Sequence, residues 1–246
     1  MAKKFDLNKA VSDYCLEATQ KGRYVQLAEL VESVAEASDR LEENVRKSVL
    51  PLLMASTVRV DEDVFADPKY FEFDVRLVDD CIERVLNGRD YLPICSFEPF
   101  DNFPLCGGGR SWNVFIFESY CLNYSARFKR LSLLFNKQCT GVIVRKEETR
   151  SFHEIAADML ANDTTAELTE SSAVDYLKSR KMIGKAKYAN VGKLLDDAAK
   201  IREKLLSSSS RRSESSTKKA NVAASRAKTK PSKRLAVDKK KPEKGR

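Results

Sequence analysis

Residues 26–65 read QLAELVESVAEASDRLEENVRKSVLPLLMASTVRVDEDVF, and two periodicities meet inside them. Leu27, Leu30, Val31 and Val34 recur at the spacing that puts apolar side chains on one face of an α-helix. Ser38 or Asp39 is placed to cap a second helix, whose stripe is Leu41, Val45, Val49 and Leu52 or Leu53. Pro51 falls within that stripe and is expected to kink or shorten the helix, because proline has no N–H and its ring crowds the preceding turn. The period then drops to two. Thr57 to Asp61 alternates as a strand, Glu62-Asp63 suits a turn, and Val64-Phe65 a return. Upstream, Phe5 to Thr19 carries another helical pattern, broken at Lys21-Gly22-Arg23.

Three helices followed by a short β-ribbon is the order of a winged helix-turn-helix, with Gln26 to Ala37 and Arg40 to Met54 as its second and third helices. In the DNA-binding version the later helix enters the major groove. Arg40, Arg46 and Lys47 suit that role, but Glu42 and Glu43 stand beside them and the ribbon carries Asp61, Glu62 and Asp63. This module, residues 1–90, is as well suited to a protein partner as to a duplex. Asp74 to Leu86 closes it with a helix that Asn87-Gly88 ends.

The central segment, 91–150, is rich in aromatics. Tyr91 to Arg110 reads as a long irregular stretch pinned by Phe97, Phe100 and Phe103, with almost no basic residue to make it a base-stacking surface. Trp112 to Tyr120 is apolar on nearly every side and reads as a buried helix, with a strand as the alternative. Arg127, Lys129 and Arg130 form a basic patch on an expected helix whose Phe128, Leu131, Leu134 and Phe135 face inward. Thr140 to Arg145 is a covered-strand pattern. The Gly107-Gly108-Gly109-Arg110-Ser111 run lacks the Gly-Lys-Ser/Thr ending of a nucleotide-binding loop. Its weaker reading is an anion cradle entering a helix capped by Ser111; its plainer reading is a flexible loop.

In residues 151–206, Ser151 with Glu154 forms a capping box before Phe152, Ile155, Ala156, Met159 and Leu160, and Thr169 caps a helix with Ala173, Val174 and Leu177 inward. Met182 to Tyr188 suits a turn or wing, and Val191 to Leu205 a last helix, again a winged-helix-like order. Lys178, Arg180, Lys181, Lys185 and Lys187 gather at the end of the second helix and on the presumed wing. Cations also favour a helix C-terminus without any ligand. These five, with Arg127, Lys129 and Arg130, are the expected phosphate contacts of the folded part.

The formal charge of the chain is +8, but residues 207–246 hold fourteen Lys or Arg against three acidic residues, +11, leaving 30 basic and 33 acidic residues, −3, in residues 1–206. With Leu235, Val222 and Val237 as its only sizeable aliphatic residues, the tail is expected to be disordered. Arg211, Arg212, Lys218, Lys219, Lys233, Arg234, Lys239, Lys240 and Lys241 are spaced to follow phosphates, not to read bases. The alternatives are a solubilising tail or an acidic membrane surface, and the last usually needs insertion or lipidation as well.

No apolar stretch has the length of a signal peptide core or a membrane span. Six cysteines without a Cys-x-x-Cys pair read as reduced thiols, so the expected setting is intracellular: cytoplasmic, nucleoid-associated if bacterial, nuclear if eukaryotic. Only His153 could join them around a metal, and a surface or capping role fits it better than acid–base catalysis. Neither metal nor cofactor is expected. The sequence thus predicts a mainly α fold with short β-ribbons (α+β), made of winged-helix-like modules and a disordered basic tail. The function it suggests is non-enzymatic DNA binding, with the helical modules positioning the protein and the tail supplying sequence-independent affinity. The alternative is a protein-interaction subunit working through its acidic body.

Overall fold

The computed structural model describes residues 5–107, 109–133, 138–184 and 188–207. One compact unit runs from Met1 to Ala199 and a second from Lys200 to Arg246. The second is helical over residues 200–207.

The first unit opens with α1 (Leu7–Gln20), which starts where the Asp6 carboxylate accepts from the Lys9 N–H at 3.1 Å. A two-residue strand, β1 (Val25–Gln26), leads directly into α2 (Leu27–Ser38), whose Leu27, Leu30, Val31 and Val34 are buried as their spacing requires. Asp39 closes α2 in the left-handed region at φ 51°. The next helix, α3 (Glu42–Ser56), begins after Leu41, so neither Ser38 nor Asp39 caps it. It also continues through Pro51, which lies on its exposed side while Val49, Leu53 and Met54 hold the opposite face in the core. The hairpin β2 (Val58–Asp61) and β3 (Val64–Ala66) completes an antiparallel sheet in the order β1-β3-β2. Arg46 pairs with Asp63 at 2.6 Å and ties α3 to the hairpin turn.

The same order then recurs. Helix α4 (Val75–Leu86), capped by Asp74 and closed by Asn87 in the left-handed region, precedes β4 (Tyr91–Pro93) and a short 3-10 turn over Ile94–Phe97. After these come α5 (Val114–Asn123), β5 (Phe128–Leu131) and β6 (Val142–Arg145). Their sheet is again antiparallel with the first strand beside the third, β4-β6-β5. Two expectations change here. Residues 128–131 form a strand, not a helix, and β4 lies within the stretch read as irregular. The aromatics of that stretch do pack as anchors: Phe97, Phe100 and Phe103 meet Phe117 with ring centroids 4.9, 5.2 and 5.6 Å away.

α5 is buried from Ile116 to Cys121, and its polar groups explain why. β2 is an edge strand of the first sheet, and α5 supplies the partners that its outward backbone lacks. Ser119 Oγ accepts from the Arg59 N–H at 2.9 Å and Asn113 donates to the Val60 carbonyl at 2.9 Å, while Asn123 donates to the Met54 carbonyl of α3 at 2.8 Å. Between them Glu118, 0% exposed, receives Arg59 on Oε2 at 2.8 Å and Arg130 on Oε1. Both guanidiniums are almost as buried, at 3% and 4%. Two further helices follow: α6 (Phe152–Asn162), started by the Ser151–Glu154 capping box, and α7 (Glu170–Ser179), capped by Thr169. Residues 191–199 are helical and end the unit. Among the described residues no helix is long and apolar enough to cross a membrane. Among the described residues the fold is mixed α+β with two small antiparallel sheets, in keeping with the α+β reading of the sequence.

Two measurements test this packing. Glu118→Gln removes the charge that two buried guanidiniums share, so the variant is expected to lose about 3–5 kcal/mol of unfolding free energy in urea titration; a loss below about 1 kcal/mol contradicts the buried triad. Arg150, bonded through Nη2 at 2.6 Å and Nε at 3.1 Å, holds the Glu148 carboxyl down to about 2. A carboxyl lowered in the folded state stabilises above its unfolded value of about 4.3. That stabilisation disappears as pH falls towards about 2. Glu148→Gln should accordingly be less stable than the parent at pH 7, with the gap closing across that acid window.

Candidate nucleic-acid interface

Of the two basic patches expected in the folded part, the structure turns one inward. Phe128 is buried, and pleating sends Arg130 to the same side of β5 two residues on. Besides Glu118, the Arg130 guanidinium donates to the Thr140 carbonyl through Nε at 2.9 Å. Lys129 donates to the carbonyls of Lys146 at 2.9 Å and Glu148 at 2.7 Å, and Arg127 pairs with Asp80 at 2.6 Å. Only Arg127 of the three keeps a largely open side chain, at 44% exposure. The turn before β5 is held by Asp79, a buried carboxylate of α4. It accepts from Tyr120 at 2.8 Å and Ser125 at 2.7 Å, and from the Ala126 and Arg127 amides at 3.0 Å each. Burial, with this bond to Asp79, raises the Tyr120 hydroxyl well above its ordinary range. An acidic residue between Val78 and Ile82, on the inward stripe of an amphipathic helix, is the sequence signal for that node.

The patch on α7 remains open. Ala173 and Leu177 hold the helix to the core, and its C-terminus closes with the Met182 N–H on the Leu177 carbonyl and the Lys181 N–H on the Lys178 carbonyl, each at 2.9 Å. That closure puts Lys181 in the left-handed region at φ 50°, a place usually given to glycine. Gly141 fixes the end by donating to the Lys181 carbonyl at 3.2 Å. Its own φ is 129°, and a Cβ there would collide with the Leu131 carbonyl. Lys178 is exposed; Arg180 lies 3.7 Å from Asp163 with 54% exposure, and Lys181 3.4 Å from Glu98 with 58%. Surface pairs of this length are weak and leave the cations available. Lys185 and Lys187 lie outside the described residues, as do Arg211, Arg212, Lys218, Lys219, Lys233, Arg234, Lys239, Lys240 and Lys241.

The glycine run does not become an anion cradle. Arg110 folds back, its N–H on the Gly107 carbonyl at 3.0 Å, and the helix starts only at Val114. Its first amides are taken by Asn113 Oδ1, which accepts from Phe115 at 3.0 Å and Ile116 at 2.9 Å, so Asn113, not Ser111, is the cap. His153 is half-buried and does not cap α6, a role Ser151 takes: Nδ1 lies 2.7 Å from the Tyr188 hydroxyl and Nε2 3.3 Å from Asp197. It ties α6 to the residues after 187. All six cysteines are free, burial pushes the Cys121 and Cys139 thiols well up, and no group of three possible ligands is placed to hold a metal among the described residues.

Set against protein-family models, curated proteins and solved structures, the chain matches none.

Lys181 separates backbone geometry from charge. Lys181→Gly relieves the left-handed strain and is expected to leave the melting temperature unchanged or raise stability by up to about 1 kcal/mol. The same change should lower nucleic-acid affinity and make the salt slope shallower by about one. A lower melting temperature refutes the closure described, and an unaltered slope removes Lys181 from the interface.

Proposed function

We propose that this chain is a non-enzymatic DNA-binding protein in which winged-helix-like modules position a basic surface and the basic C-terminal residues add sequence-independent phosphate binding. The connectivity of the first module supports the architecture: helix, short strand, two helices, hairpin, with the first strand beside the third. The second module repeats that connectivity, with the 3-10 turn in place of the middle helix.

Segregation of charge carries the function. Residues 1–206 have 30 basic and 33 acidic groups, yet Lys178, Arg180 and Lys181 stand exposed together at one helix end. Residues 207–246 then add fourteen cations. Proteins that neutralise phosphates in this way gain affinity from counterion release, which needs no base contacts.

A protein-interaction role is the second reading, and one observation favours it. The face that would meet a duplex in the first module, the start of α3 and the hairpin turn, exposes Glu42, Glu43, Asp61 and Glu62, while Arg46 is paired to Asp63. That surface suits a basic partner better than a polyanion.

Salt-titrated fluorescence anisotropy on a labelled duplex decides between them. Full-length protein should bind with a steep negative dependence of log K on log salt. Residues 1–206 should bind at least about tenfold more weakly at low salt and with a shallower slope. Equal affinity and slope for the two proteins would remove the C-terminal residues from binding, and no binding by either would leave the protein-interaction reading.

A further inference from the structure

A cleft of about 760 Å³ opens beside the cationic end of α7. One wall is the end of α4 with β4, including Val85, Arg89 and Tyr91; the other comes from α6 and α7, including Met159, Tyr176 and Arg180. Its volume lies in the range that takes a small ligand or a nucleotide. Two tyrosine rings line it, and each already carries a guanidinium near its face: Arg150 lies 5.7 Å from the Tyr91 centroid and Arg180 5.4 Å from that of Tyr176. Planar cations over aromatic rings make a surface on which another flat π-system can stack.

The polar groups of the cleft carry both signs. Asp90 and Thr164, exposed on its walls, offer acceptors suited to exocyclic amines and ring N–H groups. Arg180, 3.7 Å from the Asp163 carboxylate, stands with the exposed Lys178 and Lys181, which suit phosphates. A base against the tyrosines with its phosphates beside these three cations meets both kinds of group.

Duplex recognition fits this surface poorly. In the second module α5, at the place of the groove-reading helix, is buried against β2, and α7 exposes Glu170 and Asp175 along its length. We propose that the cleft binds an unpaired base of single-stranded DNA, stacked against Tyr176 and Tyr91, while Lys178, Arg180 and Lys181 hold the adjoining phosphates. The assignment rests on the nucleic-acid reading above and names its preferred form of DNA.

Full-length protein is titrated by anisotropy with a mixed-sequence 15-nucleotide strand and with the same strand paired to its complement. The single strand is expected to bind at least about tenfold more tightly. Tyr176→Ala should cut single-strand affinity about 5- to 100-fold, the worth of one stacked base, and leave duplex affinity unchanged. Tyr176→Phe, which keeps the ring, should retain the preference. Arg89→Glu, at an exposed position on the opposite wall, tests the cleft without threatening the fold and should weaken single-strand binding selectively. Equal affinity for the two DNAs, or variants that change both alike, overturns the cleft assignment while sparing the nucleic-acid reading. Absence of binding to either DNA overturns both.

Discussion

Glu118 is the point on which the arrangement of the first unit turns. A carboxylate removed from water is tolerated only with its charge matched and its oxygens occupied, and the same holds for the two guanidiniums beside it. Arg59 comes from the first sheet, Glu118 from α5 and Arg130 from the second sheet, so none of the three can be buried before the others arrive. Hydrophobic packing of Phe117 or Ile116 would tolerate small shifts of α5. The ion cluster does not, since moving the carboxylate by a few ångströms strands two buried cations.

That constraint gives the two repeats of one connectivity different fates. In the first, the helix before the hairpin keeps an open face, with Glu43, Lys47, Pro51 and Ala55 exposed. In the second, the corresponding helix covers the β2 edge through Asn113 and Ser119, reaches α3 through Asn123, and is buried from Ile116 to Cys121. An edge strand that would otherwise offer its backbone to another chain is thereby sealed.

Several helix ends were legible in the sequence because they are local. Asp74, Asn87, the Ser151–Glu154 pair and Thr169 act within four residues of themselves, whereas the caps expected at Ser38 or Asp39 and at Ser111 do not form. The β2–β3 hairpin and β6 were legible from alternation and from consecutive β-branched residues. β5 was not. Phe128 and Leu131 fit a helical spacing, and a strand would put Arg130 on the inward face, which is sensible only if a buried carboxylate waits there. That carboxylate lies on another element, beyond the reach of local pattern. β1 and β4 escaped notice for a related reason: strands of two and three residues exist because β3 and β6 pair with them, not through propensity of their own. Of the candidate site, composition disclosed the α7 cations, whereas the cleft joins residues more than ninety positions apart and leaves no trace in either segment.

The α7 cations are more numerous than their helix requires. A cation at a helix C-terminus contributes about 0.3–1 kcal/mol. Lys178 lies in the last turn of α7, Arg180 and Lys181 follow just past its end, and the sequence adds Lys185 and Lys187 shortly after. The partners on offer, Asp163 at 3.7 Å from Arg180 and Glu98 at 3.4 Å from Lys181, are single carboxylates at exposed sites, where an ion pair is worth little. Mutual repulsion is therefore only partly offset in the protein alone. A polyanion would complete the offset, and the free energy recovered by quieting that repulsion adds to the affinity without any contact to a base. Stability of the dipole alone would be served by one lysine; a row of them fits the proposed contact with phosphate.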